Sequence, residues 1–129
     1  SILQMNVARV GGLLEAKKIA GMAETFYAQI APHLYNGPVG AAASIQLAAT
    51  CPNFLIHEAI MDFGGFHAEV LKTKLGFDDG YLIPSREPGL GIELNHEVIA
   101  KHTPYTGERL HLQMAAEHAD VKAFAPAKG

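Results

Sequence analysis

The chain has 129 residues, of which 49% are hydrophobic and 18% are charged, a composition that suits one packed globular domain. The formal net charge is −3 and no cluster of basic residues is longer than Lys17-Lys18, so we expect no nucleic-acid partner. No apolar run approaches the roughly 18 residues of a membrane span. The single cysteine, Cys51, cannot form an intrachain disulfide. We therefore expect a soluble, cytoplasmic protein without a membrane partner.

The first half of the chain alternates predicted strands with predicted helices. Short apolar runs bounded by Gly, Pro and Asn indicate buried strands, and apolar residues at three- and four-residue spacing indicate an amphipathic helix. An alanine-rich segment after Pro38 is apolar nearly all round, which predicts a helix buried on more than one side. Pro38 suits its first turn because the missing N–H has no partner there. The predicted elements are a strand at 2–6, a helix at 13–27, a strand at 28–32, a helix at 39–50 and a strand at 54–57.

The second half is punctuated by Gly, Pro and Asp and is predicted to be rich in loops. Asp78-Asp79 before Gly80 is typical of a turn. The remaining predicted pieces are short helices at 67–74 and near 96–101, and extended segments at 81–83 and 90–94.

The predicted order is strand, helix, strand, helix, strand, and the strands are continuously apolar. This order is typical of an α/β fold in which helices cover a parallel sheet. Three parallel strands leave two unpaired sheet edges, and so small a parallel sheet is rarely stable alone. We therefore expect the edges to be covered either by other chains or by the rest of a larger barrel.

Two ionisable residues follow two of the predicted strands. His33 follows the strand at 28–32 and Glu58 follows the strand at 54–57. Carboxyl ends of parallel strands meet at one edge of a sheet, where α/β folds place their chemistry, so His33 and Glu58 could share a small-molecule site. From spacing alone, a capping role for His33 and a solvated Glu58 are the simpler alternatives.

Other candidates are interpreted as structural. His57 lies on the opposite face of the strand from Glu58 and should point away from a barrel interior. Cys51 is more simply a small buried apolar residue than a reactive thiol. Five further histidines show no metal-ligand spacing and are predicted to be surface residues: His67, His96, His102, His111 and His118.

Four motifs are together more specific than any one of them: Gln4 to Gly12, Ala31-Pro32-His33 with Gly37-Pro38, Pro52-Asn53-Phe54 to Glu58, and Pro88-Gly89-Leu90-Gly91-Ile92. In this order they resemble the sixth, seventh and eighth strands and the closing segment of an enolase-superfamily barrel. The resemblance is to the mandelate racemase subgroup and its acid-sugar dehydratases, such as galactonate and gluconate dehydratases. It covers residues 2 to 104.

The resemblance implies the C-terminal portion of a TIM-type (β/α) barrel, with about three parallel strands, their helices and a loop-rich closing segment. Residues 1–60 would hold the last barrel strands and helices, and residues 61–104 the closing segment that returns toward a capping domain. Residues 105–129 match nothing in the family and are expected to be a partly disordered tail.

The resemblance also implies a reaction, in which the proton α to the carboxylate of a sugar acid is removed and water is then lost, with an enediolate held by Mg²⁺. His33 would be the base, or the acid that assists departure of the hydroxyl. Glu58, kept protonated by burial, would donate a hydrogen bond to the substrate carboxylate. Asn6 stands where the family usually has an aspartate that orients the histidine.

The Mg²⁺ ligands lie on earlier strands in the family and are expected outside this chain. The function implied is therefore that of a fragment of a Mg²⁺-dependent acid-sugar dehydratase, a hydro-lyase. Its partners would be a sugar-acid substrate and the remainder of the barrel or another copy of the chain, and alone it should be inactive. Two alternatives stay open: a non-catalytic remnant that serves as a partner-binding module, and a racemase or epimerase of the same superfamily.

Overall fold

A computed structural model describes residues 1–59 and 63–102 of the chain. Within these residues the elements are β1 (Ile2–Leu3), α1 (Leu13–Thr25), β2 (Gln29–Ile30), α2 (Pro38–Ala49), α3 (Phe66–Glu69), β3 (Gly76–Asp78), β4 (Tyr81–Ile83) and α4 (His96–Lys101). No helix of the described ranges is long and apolar enough to cross a membrane. The predicted tail at 105–129, with His111 and His118, lies outside them.

The strands of the first half are parallel. β1 pairs with β2, and Ile30 of β2 also forms a parallel bridge to Phe54. The pairing continues beyond the regular ladder, because the N–H of His33 donates to the carbonyl of Met5 at 2.9 Å and the N–H of Glu58 donates to the carbonyl of Pro32 at 3.2 Å. The predicted strand segments therefore lie side by side in chain order, although the regular ladder is shorter than the predicted strands.

The two long helices cover one side of these strands, and small residues let them approach closely. α1 buries Ala16, Ala20 and Ala23, which recur at four- and three-residue spacing. α2 begins at Pro38, one residue before the predicted start at 39, and Pro38 lies in the first turn as predicted. α1 ends two residues before the predicted boundary, because Tyr27 adopts a left-handed φ of 55° that a helix cannot continue.

The hydrophobic core lies between the helices and the strands. Ile30 is fully buried in it, and Cys51 is buried there as a free thiol, which agrees with its interpretation as an apolar residue. The buried residues of this core are Met5, Val7, Ala16, Ala20, Ala23, Ala28, Ile30, Leu47 and Cys51.

The opposite face of the strand segments is exposed. Side chains alternate between the two faces of an extended strand, and mutual contacts show that Gln4, His33 and Glu58 share one face. His57 instead contacts Ser44 on α2. The last segment does not alternate regularly. Phe54 pairs with the buried Ile30 and so lies on the helix-facing side, while the N–H of Leu55 donates to Ile30 and that of Glu58 donates to Pro32, which leaves one extra residue between them. Register and contacts define what we call the open face: Ile2, Gln4, Ala31, His33, Leu55 and Glu58.

The open face carries apolar side chains that have no cover within the described residues. Ile2 is 59% exposed and Leu55 is 44% exposed. Isolated exposed apolar residues are ordinary, but neighbouring ones on a sheet mark a surface that another element covers.

The second half contains a β-hairpin that was only partly predicted. β3 and β4 pair antiparallel around Asp79 and Gly80, whose φ values of 42° and 82° fit the left-handed positions of a type I′ turn. β4 and α4 match the predicted segments at 81–83 and 96–101. β3 was missed because Gly76 reads as a loop residue.

Two predictions for the second half were wrong in extent. The helix expected at 67–74 is the single turn α3. The segment expected to be extended at 90–94 forms only an isolated antiparallel bridge between Leu94 and Leu71. In the second segment Gly91 has a left-handed φ of 69°, which interrupts an extended strand.

Candidate functional site

His33 and Glu58 come together where neighbouring strand segments end. The ring Nδ1 of His33 contacts Oε2 of Glu58, and the carboxylate accepts because it has no proton to give when ionised. The side chains are 35% and 42% exposed, respectively. The strand-end pattern thus correctly placed the two side chains together at the rim of the sheet.

Two further donors reach the same oxygen of Glu58. The backbone N–H of Leu34 donates to Oε2 at 3.2 Å, and the side-chain amide of Gln4 donates to it at 3.3 Å. Three donors at one oxygen hold the carboxyl group in place, while Oε1 makes no hydrogen bond within the described residues. Gln4 was not predicted as a site residue. It lies two residues before Asn6 and therefore on the same face of the first strand as Asn6.

The contact to Glu58 also fixes the orientation of the His33 ring. Nδ1 carries the proton that it donates to the carboxylate, so a neutral ring has its lone pair on Nε2. Nε2 makes no hydrogen bond within the described residues. His33 therefore offers one basic nitrogen to an incoming molecule, and its other nitrogen is oriented by a carboxylate, which is the arrangement that general bases use.

Asn6 does not hold the imidazole as predicted. It is buried, and its Oδ1 accepts from the N–H of Ala8 at 2.9 Å and from Nδ2 of Asn36 at 3.1 Å. Its own Nδ2 donates to Oδ1 of Asn36 at 3.4 Å. Within the described residues the partner of His33 is Glu58, and Asn6 instead ties the end of the first strand to the loop after His33.

Burial of Glu58 was expected, and the structure does not show it. The residue lies on the outermost of the three strand segments, so one side of its carboxyl group faces solvent. The desolvation that was expected to keep it protonated is therefore absent from the described part of the chain.

The other histidines that the structure describes make no hydrogen bond to His33. His57 lies on the helix-facing side of its strand and contacts Ser44. His67, His96 and His102 are exposed. Among residues 1–59 and 63–102, no three side chains of His, Cys, Asp or Glu are grouped so that they could hold a metal ion.

Comparisons with known proteins identify the family of the chain. The family described as Enolase C-terminal domain-like matches residues 1–98. The chain is 33% identical over 112 residues to the D-galactonate dehydratase of Pectobacterium atrosepticum, across 80% of this chain and 28% of that protein. It is 32% identical over 101 residues to the D-xylonate dehydratase of Haloferax volcanii, across 78% of this chain and 24% of that protein.

Solved structures give the same result. A crystal structure from Burkholderia SAR-1, assigned to the mandelate racemase/muconate lactonizing enzymes, superposes with a TM-score of 0.81 and 76% identity, over 86% of this chain and 28% of that one. A mandelate racemase/muconate lactonizing enzyme from Jannaschia sp. CCS1 gives a TM-score of 0.77 and 46% identity, over 86% and 28% of the two chains.

Parallel strand segments covered by helices, with acid–base groups at their carboxyl ends, define an α/β domain of the barrel type. The chain belongs to the enolase superfamily, in the family of Enolase C-terminal domain-like proteins. It spans about 28% of the length of the D-galactonate dehydratase that it matches.

Proposed function

We propose that the chain supplies the C-terminal part of the (β/α) barrel of an acid-sugar dehydratase that depends on Mg²⁺, and that it is active only together with the rest of the barrel. The observation that carries this proposal is the contact between His33 and Glu58 at the ends of neighbouring strand segments. The superfamily membership and the dehydratases among the relatives support the reaction class.

The proposed substrate is a sugar acid with hydroxyl groups on the two carbons next to the carboxylate. Nε2 of His33 would take the proton from the α carbon, or the protonated ring would give its proton to the departing hydroxyl, which then leaves as water. Loss of water from such an acid gives an enol, and the enol becomes a 2-keto-3-deoxy acid.

Glu58 has two tasks in this proposal. Through Oε2 it holds the His33 ring and stabilises the imidazolium that forms when the ring accepts a proton. Through Oε1, which has no partner within the described residues, it faces the substrate carboxylate and donates a hydrogen bond when protonated. This assigns to Glu58 the orienting role that was expected at Asn6.

Mg²⁺ would be held by carboxylates elsewhere in the complete protein, since the described residues do not fit an ion that needs several oxygen ligands in near-octahedral geometry. When bound, the ion would supply positive charge to the substrate carboxylate. The partner that carries those ligands would also cover the open face, because the interior of a barrel is filled by side chains from all its strands.

The proposal is tested by complementation. The part of the Burkholderia SAR-1 protein that this chain does not match would be coexpressed with the chain, and the complex assayed with D-galactonate and D-xylonate in the presence of Mg²⁺. We expect a 2-keto-3-deoxy acid as product, no turnover by the chain alone, and loss of turnover in His33→Ala. His96→Ala, an exposed position on α4, is the matched control.

Each alternative function predicts a different result. A racemase or epimerase would exchange the α hydrogen with deuterated solvent without forming a keto acid; the mandelate racemase/muconate lactonizing relatives are the reason to measure this exchange. A non-catalytic partner-binding module would assemble and give neither product nor exchange. Full turnover in His33→Ala would place the base in the complementing part and refute the role of His33.

A further inference from the structure

A second set of contacts lies behind the His33–Glu58 pair, on the helix-facing side of the strand. Oγ of Ser44, which is 1% exposed in α2, lies 2.8 Å from Nε2 of His57. Nδ1 of the same ring lies 2.6 Å from the backbone carbonyl oxygen of Glu58. A chain of hydrogen bonds thus runs from the buried helix to the main chain of the residue that holds His33.

The chemistry of these groups fixes the direction of each bond. A carbonyl oxygen only accepts, so Nδ1 of His57 must carry a proton and donate to Glu58. Nε2 of the neutral ring is then an acceptor, and the Ser44 hydroxyl donates to it. Ser44 therefore selects the tautomer of His57 that can donate to the Glu58 carbonyl. In a neutral imidazole, a hydrogen bond accepted by one nitrogen means that the other nitrogen carries the proton.

We call the hydrogen bond from His57 to the Glu58 carbonyl the anchor. It matters because the strand that ends at Glu58 is weakly paired. Its only bridge in the described chain is the one between Phe54 and Ile30, and the N–H of Glu58 donates to Pro32 at a relatively long 3.2 Å. His57 holds the other end of the same residue, so the peptide units on both sides of the Glu58 side chain are fixed. Its carboxyl group can then meet His33 in one position.

We propose that His57, oriented by Ser44, is a positioning residue that keeps the Glu58 carboxyl group on Nδ1 of His33. The positioning is a property of this chain, and its consequence for turnover rests on the proposed dehydratase function. Catalytic groups lose rate steeply when they are displaced by about 1 Å, so an anchor on the main chain of Glu58 affects chemistry without touching substrate.

Three variants separate the parts of the anchor. His57→Asn keeps an amide donor near the position of Nδ1 and loses the contact to Ser44. His57→Gln places its amide near the position of Nε2 and loses the donor to Glu58. Ser44→Ala removes only the donor that selects the tautomer, and it is a small change in a buried helix that should fold. His96→Gln is the matched surface control.

The first readout is the ¹⁵N resonances of the histidine rings in the labelled chain, which report which ring nitrogen carries a proton. We expect His57 as the Nδ1–H tautomer in the parent, a mixture in Ser44→Ala, and altered His33 resonances in His57→Gln. His57→Asn should restore the parent His33 resonances. His57 found as the Nε2–H tautomer in the parent, or His33 resonances unmoved in both Ser44→Ala and His57→Gln, would overturn the proposal.

The second readout is turnover in the complemented complex. Loss of a positioning hydrogen bond should lower kcat about threefold to tenfold in His57→Gln, with KM nearly unchanged and with recovery in His57→Asn. If the ring resonances respond as expected but His33→Ala leaves turnover intact, the positioning stands and the proposed function fails. If His33→Ala abolishes turnover while His57→Gln leaves kcat unchanged, the function stands and the positioning role is refuted.

Discussion

Ile2 provides a sharp test of whether the open face is an interior surface. It lies two residues before Gln4 on the same face and is 59% exposed. Ile2→Lys would place an ammonium group on that face without replacing His33 or Glu58. If the rest of a barrel covers this face, the substitution should weaken association with the complementing part.

The size of the effect follows from the exposed area. Complete burial of an isoleucine side chain stabilises by about 1.5–3 kcal/mol, so covering the part of Ile2 that is still exposed should contribute about 1–2 kcal/mol. The lysine forfeits this gain and adds a cost for desolvating its charge, part of which it avoids by extending its stem toward water. A total loss of about 2–3 kcal/mol corresponds to a roughly 30- to 140-fold higher Kd.

The assay is titration of the chain with the complementing part of the Burkholderia SAR-1 protein, followed by calorimetry or sedimentation. Ile2→Val keeps an apolar side chain and should raise Kd less than about tenfold. Met22→Lys is the second control, because Met22 is 60% exposed but lies on α1. An Ile2→Lys variant that binds as tightly as the parent, or no more weakly than Met22→Lys, would refute the assignment of the open face.

Three further changes test the structure around the site. Asn53→Ala removes side-chain donors to the carbonyls of Ala20 and Ala28 at 3.0 and 2.9 Å and should lower the free energy of unfolding in urea by about 2 kcal/mol; an unchanged midpoint would contradict it. Asn6→Asp should change kcat of the complex less than about threefold, since the side chain bonds away from His33; a tenfold change would restore the orienting role of Asn6. Gly91→Ala should lower the melting temperature, because φ is +69° and the added Cβ would lie 2.2 Å from Cβ of Ser85; an unaltered melting curve would argue against this turn.

The layout of the first half could be predicted because its signals are local. Apolar spacing identified α1, and the position of Pro38 identified the start of α2, since a proline is tolerated in the first turn and excluded further in. The rule that carboxyl ends of parallel strands meet at one edge placed His33 beside Glu58. These inferences need only the period of the side chains and the geometry of the sheet.

The partners of individual polar groups could not be predicted in the same way. Asn6 bonds to Asn36, which lies in the loop after His33, and the path of that loop depends on packing and not on local pattern. Gln4 and Ser44 gave no signal because a single amide or hydroxyl in an apolar segment is common. The exposure of Glu58 depends on what covers the outermost strand, and the residues of this chain give no information about that cover.

The exposure of Glu58 and the exposure of Ile2 have one physical cause, since both side chains lie on the open face. A partner that covers this face would also remove water from around the Glu58 carboxyl group, and desolvation disfavours the charged form of a carboxyl group. The three donors at Oε2 oppose this by favouring the charged form. Assembly would therefore set two effects against each other at one residue, and the protonated Glu58 that the proposed reaction needs would arise only where cover outweighs the donors. In the proposed function chemistry would be coupled to association, because the groups that are held in place in this chain would become a working site only in the environment that the rest of the barrel supplies.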